Sequence, residues 1–486
     1  MSYDISGLEP VLLWKYFDRI RKIPRCSGNE DALSKAIISW AEKQGARAEQ
    51  DGAGNIIVRI PATPGYEEVP GVVLQGHMDM VCEKNAESTF DFKTDAIELN
   101  RKGDWIEAKG TTLGADNGVG LAAALAFLEV DDISHGPIEI LATVEEETGL
   151  FGALELDPEY VKGRMLFNFD SEEDGIFYVG CAGGRDTSIT LPIDRRKPTG
   201  QSAYVVTVKG LKGGHSGLDI ILNRGNAVIL LARVLQWLVE KTPSMEISRL
   251  DGGDKHNAIP REASAVVVTP TSMDTAWIPI LEKANQVFSG EYGPLEPDVE
   301  VVVQETEMPR STFSKAAASR AVDFLLAVPN GVMAMMRDIP EVVETSNNLA
   351  RVKTDDVALK ILCSSRSSID SASAAVVEKL AAICRMTSAT TKELSRYPGW
   401  QPDMSSPMLA KARQVWKDVH HTEPEVKVVH AGLECGIIGE KFEGMDMISL
   451  GPTIENPHSP SERVHIPSVE RFFAFAKAFI ASIAEG

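Results

Sequence analysis

The chain of 486 residues carries 49 Lys and Arg against 70 Asp and Glu, a formal charge of −21 at pH 7, with 43% hydrophobic and 24% charged residues. That length exceeds one core and predicts two or three domains, while the balance of apolar and charged residues excludes wholesale disorder. So negative a field repels phosphate backbones and anionic lipid, which argues against nucleic acid or a membrane as partner.

The first residues have no basic stretch followed by an apolar one, and no apolar run reaches the roughly 18 residues of a spanning helix. The six cysteines (Cys26, Cys82, Cys181, Cys363, Cys384, Cys435) are scattered without CxxC spacing. They read as reduced thiols, and a cytoplasmic location is expected. Apolar residues at helical spacing then predict helices over Leu8–Ile20 and Glu30–Lys43. Apolar runs at 55–60, 71–75, 137–144 and 164–169 predict strands, with a helix over 119–130 between two of them. Continuous apolar strands alternating with helices indicate an α/β domain whose mixed sheet is covered on both faces.

Charge, proline and glycine gather in LPIDRRKPTGQ, which places a domain boundary near Asp186. Beyond it come a strand at 204–210, a Gly-rich turn, a helix at about 224–240, and strands at 247–250 and 263–270. A second round begins with a strand at 299–306, a helix at 315–327, and strands at 347–353 and 356–365. The region 187–395 is therefore expected to be an inserted α+β domain of two similar strand–helix–strand–strand units. After the turn-rich RYPGWQPD, a helix at 405–419, strands at 425–430 and 447–452, and a helix at 468–484 are too short for a domain of their own. They are expected to return to the first sheet, so that 1–186 and 396–486 form one domain.

Four segments of the first domain set carboxylates or histidine just after an apolar strand or at a helix start. They are Gln75-Gly76-His77-Met78-Asp79, Gly114-Ala115-Asp116-Asn117-Gly118, Glu145-Glu146-Glu147-Thr148-Gly149 and Asn168-Phe169-Asp170-Ser171-Glu172; the tail adds Glu455-Asn456-Pro457-His458-Ser459-Pro460. Loops at the C-terminal edge of an open sheet converge on one place. Taken singly, His77 reads as well as a structural histidine, Asp116 as a helix cap, and the glutamate triplet as a solvated strand end. Together, two imidazoles and several carboxylates suit Zn²⁺, Mn²⁺ or Co²⁺, and their number allows two ions bridged by a carboxylate.

In this order and spacing, HMD, GADNG, EEETG, NFDSEE and NPHSP resemble the di-zinc peptidase superfamily of carboxypeptidase G, aminoacylase and the tripeptide aminopeptidases. Nearly the full length is similar to its aminoacyl-histidine dipeptidase branch. The resemblance implies a di-zinc peptidase catalytic domain with an inserted lid and dimerisation domain. It implies a cytosolic metallo-dipeptidase that hydrolyses Xaa-His dipeptides such as β-alanyl-histidine, with a related dipeptidase, tripeptidase or aminoacylase as the alternative. His77 and Asp170 would hold one metal, Glu147 and His458 the other, and Asp116 would bridge them; the ions would be zinc, with cobalt or manganese possible. Asp79 would orient His77, and Glu146 would be the general base to a metal-bridged hydroxide. The family's spacing of the acidic pair before Thr148-Gly149 leaves Glu145 without a role. His215, in Gly213-Gly214-His215-Ser216-Gly217, would stabilise the oxyanion, and Asn257 and Arg366 would bind substrate, with Arg366 clamping the terminal carboxylate. A homodimer is implied, with His215 serving its own site or its partner's.

Two other enzyme classes leave traces. Gly118-Val119-Gly120-Leu121-Ala122-Ala123 fits a GxGxxA string, but no apolar strand precedes it, as a dinucleotide site requires. Ser216 lacks the GxSxG spacing of a serine hydrolase. A non-catalytic metal-binding or scaffold protein would lack a ligand or the base, and none is missing from the motifs.

Overall fold

The computed structural model describes residues 3–270 and 277–485. The chain divides into two compact units, one comprising residues through Cys181 with Trp400–Val428 and those from Leu433, the other Ala182–Gly399 with Val429–Gly432.

The first unit is built on an eight-stranded mixed sheet. Its middle is parallel: Ile138–Thr143, Val72–His77, Met165–Asn168 and Asp446–Ser449 lie side by side in that order. Val72–His77 and Ile138–Thr143 are buried at every position, as strands covered on both faces must be. The tail supplies Asp446–Ser449, and Ser406, which caps the helix Pro407–His420 by accepting from Leu409 N at 2.9 Å, also donates its hydroxyl to Asp446 at 2.7 Å. The closing helix Ile466–Ala484 lays Phe472, Phe475 and Phe479 against Phe167, Phe169, Phe177 and Trp416, mostly edge to face. That aromatic layer forms much of the core on one side of the sheet.

The second unit has a nine-stranded antiparallel sheet. Strand Ser202–Lys209 alternates buried and half-exposed residues, so one face packs on the helices, with Val206 and Val208 against Leu231, Val234 and Leu235. A group of four strands and a group of five, the fifth being Gly331–Met335 paired with Val343–Thr354, are joined where Asp251 and Gly252 pair with Lys353 and Val352. The first group is consecutive in sequence but takes in a strand expected to open the second round, and the second group draws one from before both rounds. Strand Glu300–Thr306 joins Ser202–Lys209 in the first group, and Gly183–Pro192 lies between Ala358–Ser367 and Thr390–Tyr397 in the second.

Three expectations need correction. Helices Ile278–Tyr292 and Asp370–Thr387 were not anticipated; the second buries mainly Ser373, Val376, Leu380 and Cys384, so its apolar stripe is muted. The helix expected at 119–130 runs instead over Ala115–Ala126. Cys26 and Cys82 are joined in a disulfide, whereas Cys181, Cys363, Cys384 and Cys435 are free and buried. The backbone brings the pair together, because Met80 N donates to Arg25 O at 3.1 Å and Cys26 bridges Met80; spacing along the sequence does not carry that information. Among the described residues, no helix is long and apolar enough to cross a membrane.

Candidate metal centre

Parallel strands of the first unit end at one edge, and their register gathers the acidic and imidazole side chains there. His77 closes its strand opposite Thr143, two residues before Glu145, and Gln75 pairs with Asn168, two residues before Asp170. Asp116 enters from the start of Ala115–Ala126, where Asp116 and Asn117 keep non-helical backbone. His458 comes from the loop between Ile454–Glu455 and Arg463–His465. Asn456 and His458 sit at φ of 53° and 59°, a left-handed conformation that costs a non-glycine residue about 1–2 kcal/mol. Such backbone persists where its surroundings over-determine it, and here Ser459 Oγ donates to Asn456 O at 2.9 Å.

Asp116 lies between the two imidazoles. Its Oδ1 is 3.1 Å from His77 Nε2, and its Oδ2 is 3.0 Å from His458 Nε2. Asp170 Oδ1 is 3.2 Å from the same His77 nitrogen, and Glu147 Oε2 is 3.1 Å from the same His458 nitrogen. The structure thus brings His77, Asp116 and Asp170 into one group that could hold an ion, and Asp116, Glu147 and His458 into another; Glu146 joins His77 and Glu147 in a third. Asp79, fully buried, lies 3.3 Å from His77 Nδ1 and accepts from the backbone N–H groups of Glu146 at 3.0 Å and Glu147 at 3.2 Å. Ser27 Oγ donates to it at 2.7 Å. One carboxylate therefore orients an imidazole and fixes the turn that carries both glutamates.

Burial first, and then neighbouring carboxylates, push Glu146 well above the usual carboxylate range, Asp170 up to about 6 and Glu172 up to about 8. Asp116 goes the other way, because the hydrogen bonds to His458 and His77 outweigh its burial. The contacts with Asp116 and Glu147 push His458 up to about 11. Crowded carboxylates of this kind lack positive charge. Glu147 Oε1 is also buried without a hydrogen-bond partner, a costly state for a carboxylate oxygen unless a cation answers it. Nitrogen and oxygen donors in this proportion fit a first-row divalent ion.

The glycines after Asp116 have a packing reason. A Cβ at Gly120 would collide with the carbonyl oxygen of Phe169, and one at Gly118 with the Arg25 guanidinium. They let the helix approach the end of the neighbouring strand, with no need of a dinucleotide.

In the second unit, His215 Nδ1 accepts from Gly217 N at 3.2 Å and Leu218 N at 3.1 Å. Burial and Arg366 lower its pKa to about 4, so the ring is neutral with its proton on Nε2, an N–H donor. Arg366 is buried, donates to Tyr397 Oη at 2.9 Å and leaves its Nε without a partner. Asn257 is exposed, and its carbonyl accepts from Ser216 N at 2.8 Å.

Several residues beside these groups carried no motif. Arg25 donates to the carbonyls of Met78 at 2.9 Å and Asp79 at 2.6 Å, and to that of Gly114. Asn117 Nδ2 donates to Asp170 Oδ1 at 2.7 Å. Under the strand ends, the fully buried Glu434 accepts from Gln75 Nε2 at 2.5 Å and Thr143 Oγ1 at 2.8 Å. His430 is buried with Nε2 2.8 Å from Ser346 Oγ.

Residues 73–482 match the model of Peptidase family M20/M25/M40. The chain is 38% identical over 481 residues to a cytosol non-specific dipeptidase of Escherichia coli (strain K12), covering 99% of both chains. Its fold is similar to that of the aminoacylhistidine dipeptidase from Vibrio alginolyticus, with a TM-score of 0.92, 41% identity, and coverage of 99% of this chain and 98% of that one. The aminopeptidase PepT from Bacillus cereus shares the fold at a TM-score of 0.57 and 17% identity, over 98% and 99% of the two chains. Matched over most of its length and bringing together two histidines and their carboxylates at one sheet edge, the chain belongs to Peptidase family M20/M25/M40.

Proposed function

We propose that the chain is a metal-dependent dipeptidase that hydrolyses Xaa-His dipeptides, β-alanyl-histidine among them, in the cytoplasm and as a homodimer. The observation that carries this reading is Asp116, whose two oxygens face two different imidazoles, each backed by a further carboxylate. The described names of the E. coli and Vibrio relatives support the dipeptide substrate, and the former also supports the location. Residues 1–186 and 396–486 act as the catalytic domain and 187–395 as the lid and dimerisation domain.

In this reading, His77 and Asp170 would hold one ion, Glu147 and His458 the other, and Asp116 would serve both. Two divalent ions, zinc by preference and cobalt or manganese as substitutes, supply the Lewis acidity that polarises the scissile carbonyl and makes the attacking water more acidic. Glu146 takes the water's proton as the new C–O bond forms and returns it to the amine nitrogen as the C–N bond breaks. Its raised affinity for protons suits a group that must hold one between those two events. Asp79 keeps His77 and the Glu146–Glu147 turn in place. His215 donates an N–H to the oxyanion, Arg366 pairs with the terminal carboxylate of the dipeptide, and Asn257 binds substrate.

The test is a panel of Xaa-His dipeptides, other dipeptides, tripeptides and N-acyl amino acids, read by the amino acid released. Free histidine from Xaa-His dipeptides, with tripeptides and acyl amino acids left intact, is expected. Preferential cleavage of tripeptides or acyl amino acids would overturn the dipeptidase reading.

A further inference from the structure

The His458 loop ends in Glu462, a residue for which the proposed reaction has no use. It is 1% exposed, and its carboxylate accepts four backbone N–H groups of one segment of the chain. Oε2 takes those of Leu113 at 2.7 Å and Gly114 at 2.9 Å, and Oε1 takes those of Ala115 at 2.7 Å and Asp116 at 3.2 Å. A carboxylate holds four such donors at most, so this group is saturated by the segment that delivers Asp116. The opposite polarity of that segment is held as well, because Arg25 donates to Gly114 O while its other nitrogen reaches the carbonyls of Met78 and Asp79. Glu462 itself is tied to the histidine loop, its N–H donating to Ser459 O at 3.0 Å, one residue from His458.

Two loops about 350 residues apart are thus fastened by one buried side chain, with Asp116 at one end of the fastening and His458 at the other. The Asp116 backbone is not helical at this point, and a hydrogen bond from Gly118 N to Gly114 O at 3.2 Å spans it. Its position follows from the groups that grip its N–H groups and the carbonyl of Gly114. We propose that Glu462 is a positioning residue: its carboxylate fastens the Asp116 segment to the His458 loop and so sets the distance that lets Asp116 and His458 share an ion with Glu147, and its loss weakens that site more than the His77–Asp116–Asp170 site. The inference rests on the two-ion reading above, and His77, on the far side of Asp116, has its own supports in Asp79 and Arg25.

Metal binding measures this without any substrate. Apoprotein is titrated with Zn²⁺ against a chromophoric chelator, and with Co²⁺ followed by its visible absorption, for the natural chain, Glu462→Gln and Glu462→Asp. Gln replaces two acceptor oxygens by one and sets an amide N–H₂ against backbone donors; Asp keeps the charge but falls short by one methylene. In folded Glu462→Gln one ion is expected to weaken about 10–100-fold, the usual cost of removing a group that orients a metal ligand, and the other by clearly less. Glu462→Asp should weaken the same site by less. In a His458→Ala background, which has already lost that site, Glu462→Gln should show only the smaller effect on the remaining one. Equal affinity for both ions in folded Glu462→Gln, or equal weakening of both, would overturn the proposal. Loss of cooperative melting in both Glu462 variants would assign the residue to the fold and overturn it also. If the natural chain itself binds fewer than two ions, the two-ion reading fails first and takes this proposal with it.

Discussion

Glu146 and Glu147 hang on the same support, their backbone N–H groups both donating to Asp79, yet their side chains meet different surroundings. Glu147 reaches His458 at 3.1 Å and keeps one buried oxygen without a partner, whereas burial and the charges of Asp170, Glu434 and Glu147 raise the proton affinity of Glu146. Two glutamates adjacent in sequence are thus distinct in environment, as the proposed roles of metal ligand and proton carrier require. Glu146→Gln is expected to lower kcat by about 10²–10⁴-fold with metal content unchanged, as measured by elemental analysis of the purified variant. A variant that loses metal would place Glu146 among the ligands. His430 gives a prediction about stability. Burial and the nearby Arg366 lower its pKa to about 3 from an ordinary value of 6.5. Between those values the unfolded chain binds a proton that the folded chain does not, so stability rises with pH across this window and is lost as pH falls from 6.5 towards 3. The raised carboxylates Asp170 and Glu172 titrate with the opposite sign, so the contribution of His430 is read as a difference: between pH 7 and pH 5 the urea midpoint of the natural chain should move downwards relative to that of His430→Gln, which cannot titrate. An unchanged slope would contradict the assignment.

At the scale of elements, the sheet edge was legible because buried parallel strands write themselves as continuous apolar runs, and the polar residue that ends such a run is conspicuous. His77, Glu145 to Glu147 and Asp170 all follow a run of this kind. Asp116 and His458 were legible only as motifs. Glu462 and Arg25 were not legible at all, because their partners are backbone groups, which have no residue identity and come from distant parts of the chain. Helix Asp370–Thr387 escaped notice for a related reason, since the small residues along it blur the apolar stripe. The closing helix was expected over 468–484, and in Ile466–Ala484 the residues Phe472, Phe475 and Phe479, at three- and four-residue spacing, lie on one face. Phe475, fully buried, contacts Phe167, Phe177, Trp416 and Phe479. Phe475→Ala should destabilise the protein by about 3–5 kcal/mol, checked by urea unfolding; a loss under 1 kcal/mol, on the order of a surface change, would mean that the aromatic layer is not a close-packed core.

On the scale of the whole molecule, the two units have different chemistry. The first gathers carboxylates and imidazoles, an arrangement with surplus negative charge that calls for cations. The second buries Arg366 and holds His215 and His430 neutral. The division of the sheet in the second unit into groups of four and five strands with a two-residue join follows from strands that cross between sequence rounds, a topology that repeated spacing along the chain does not reveal. The central claim is that the carboxylate and histidine cluster works by holding divalent metal to cleave a dipeptide. It is tested most directly by hydrolysis of β-alanyl-histidine before and after removal of metal with a chelator, and again after Zn²⁺, Mn²⁺ or Co²⁺ is added back. The account predicts that cleavage disappears with the metal and returns when two ions per chain are restored. Cleavage that persists in metal-free protein, or no cleavage of any dipeptide by protein carrying both ions, would contradict it.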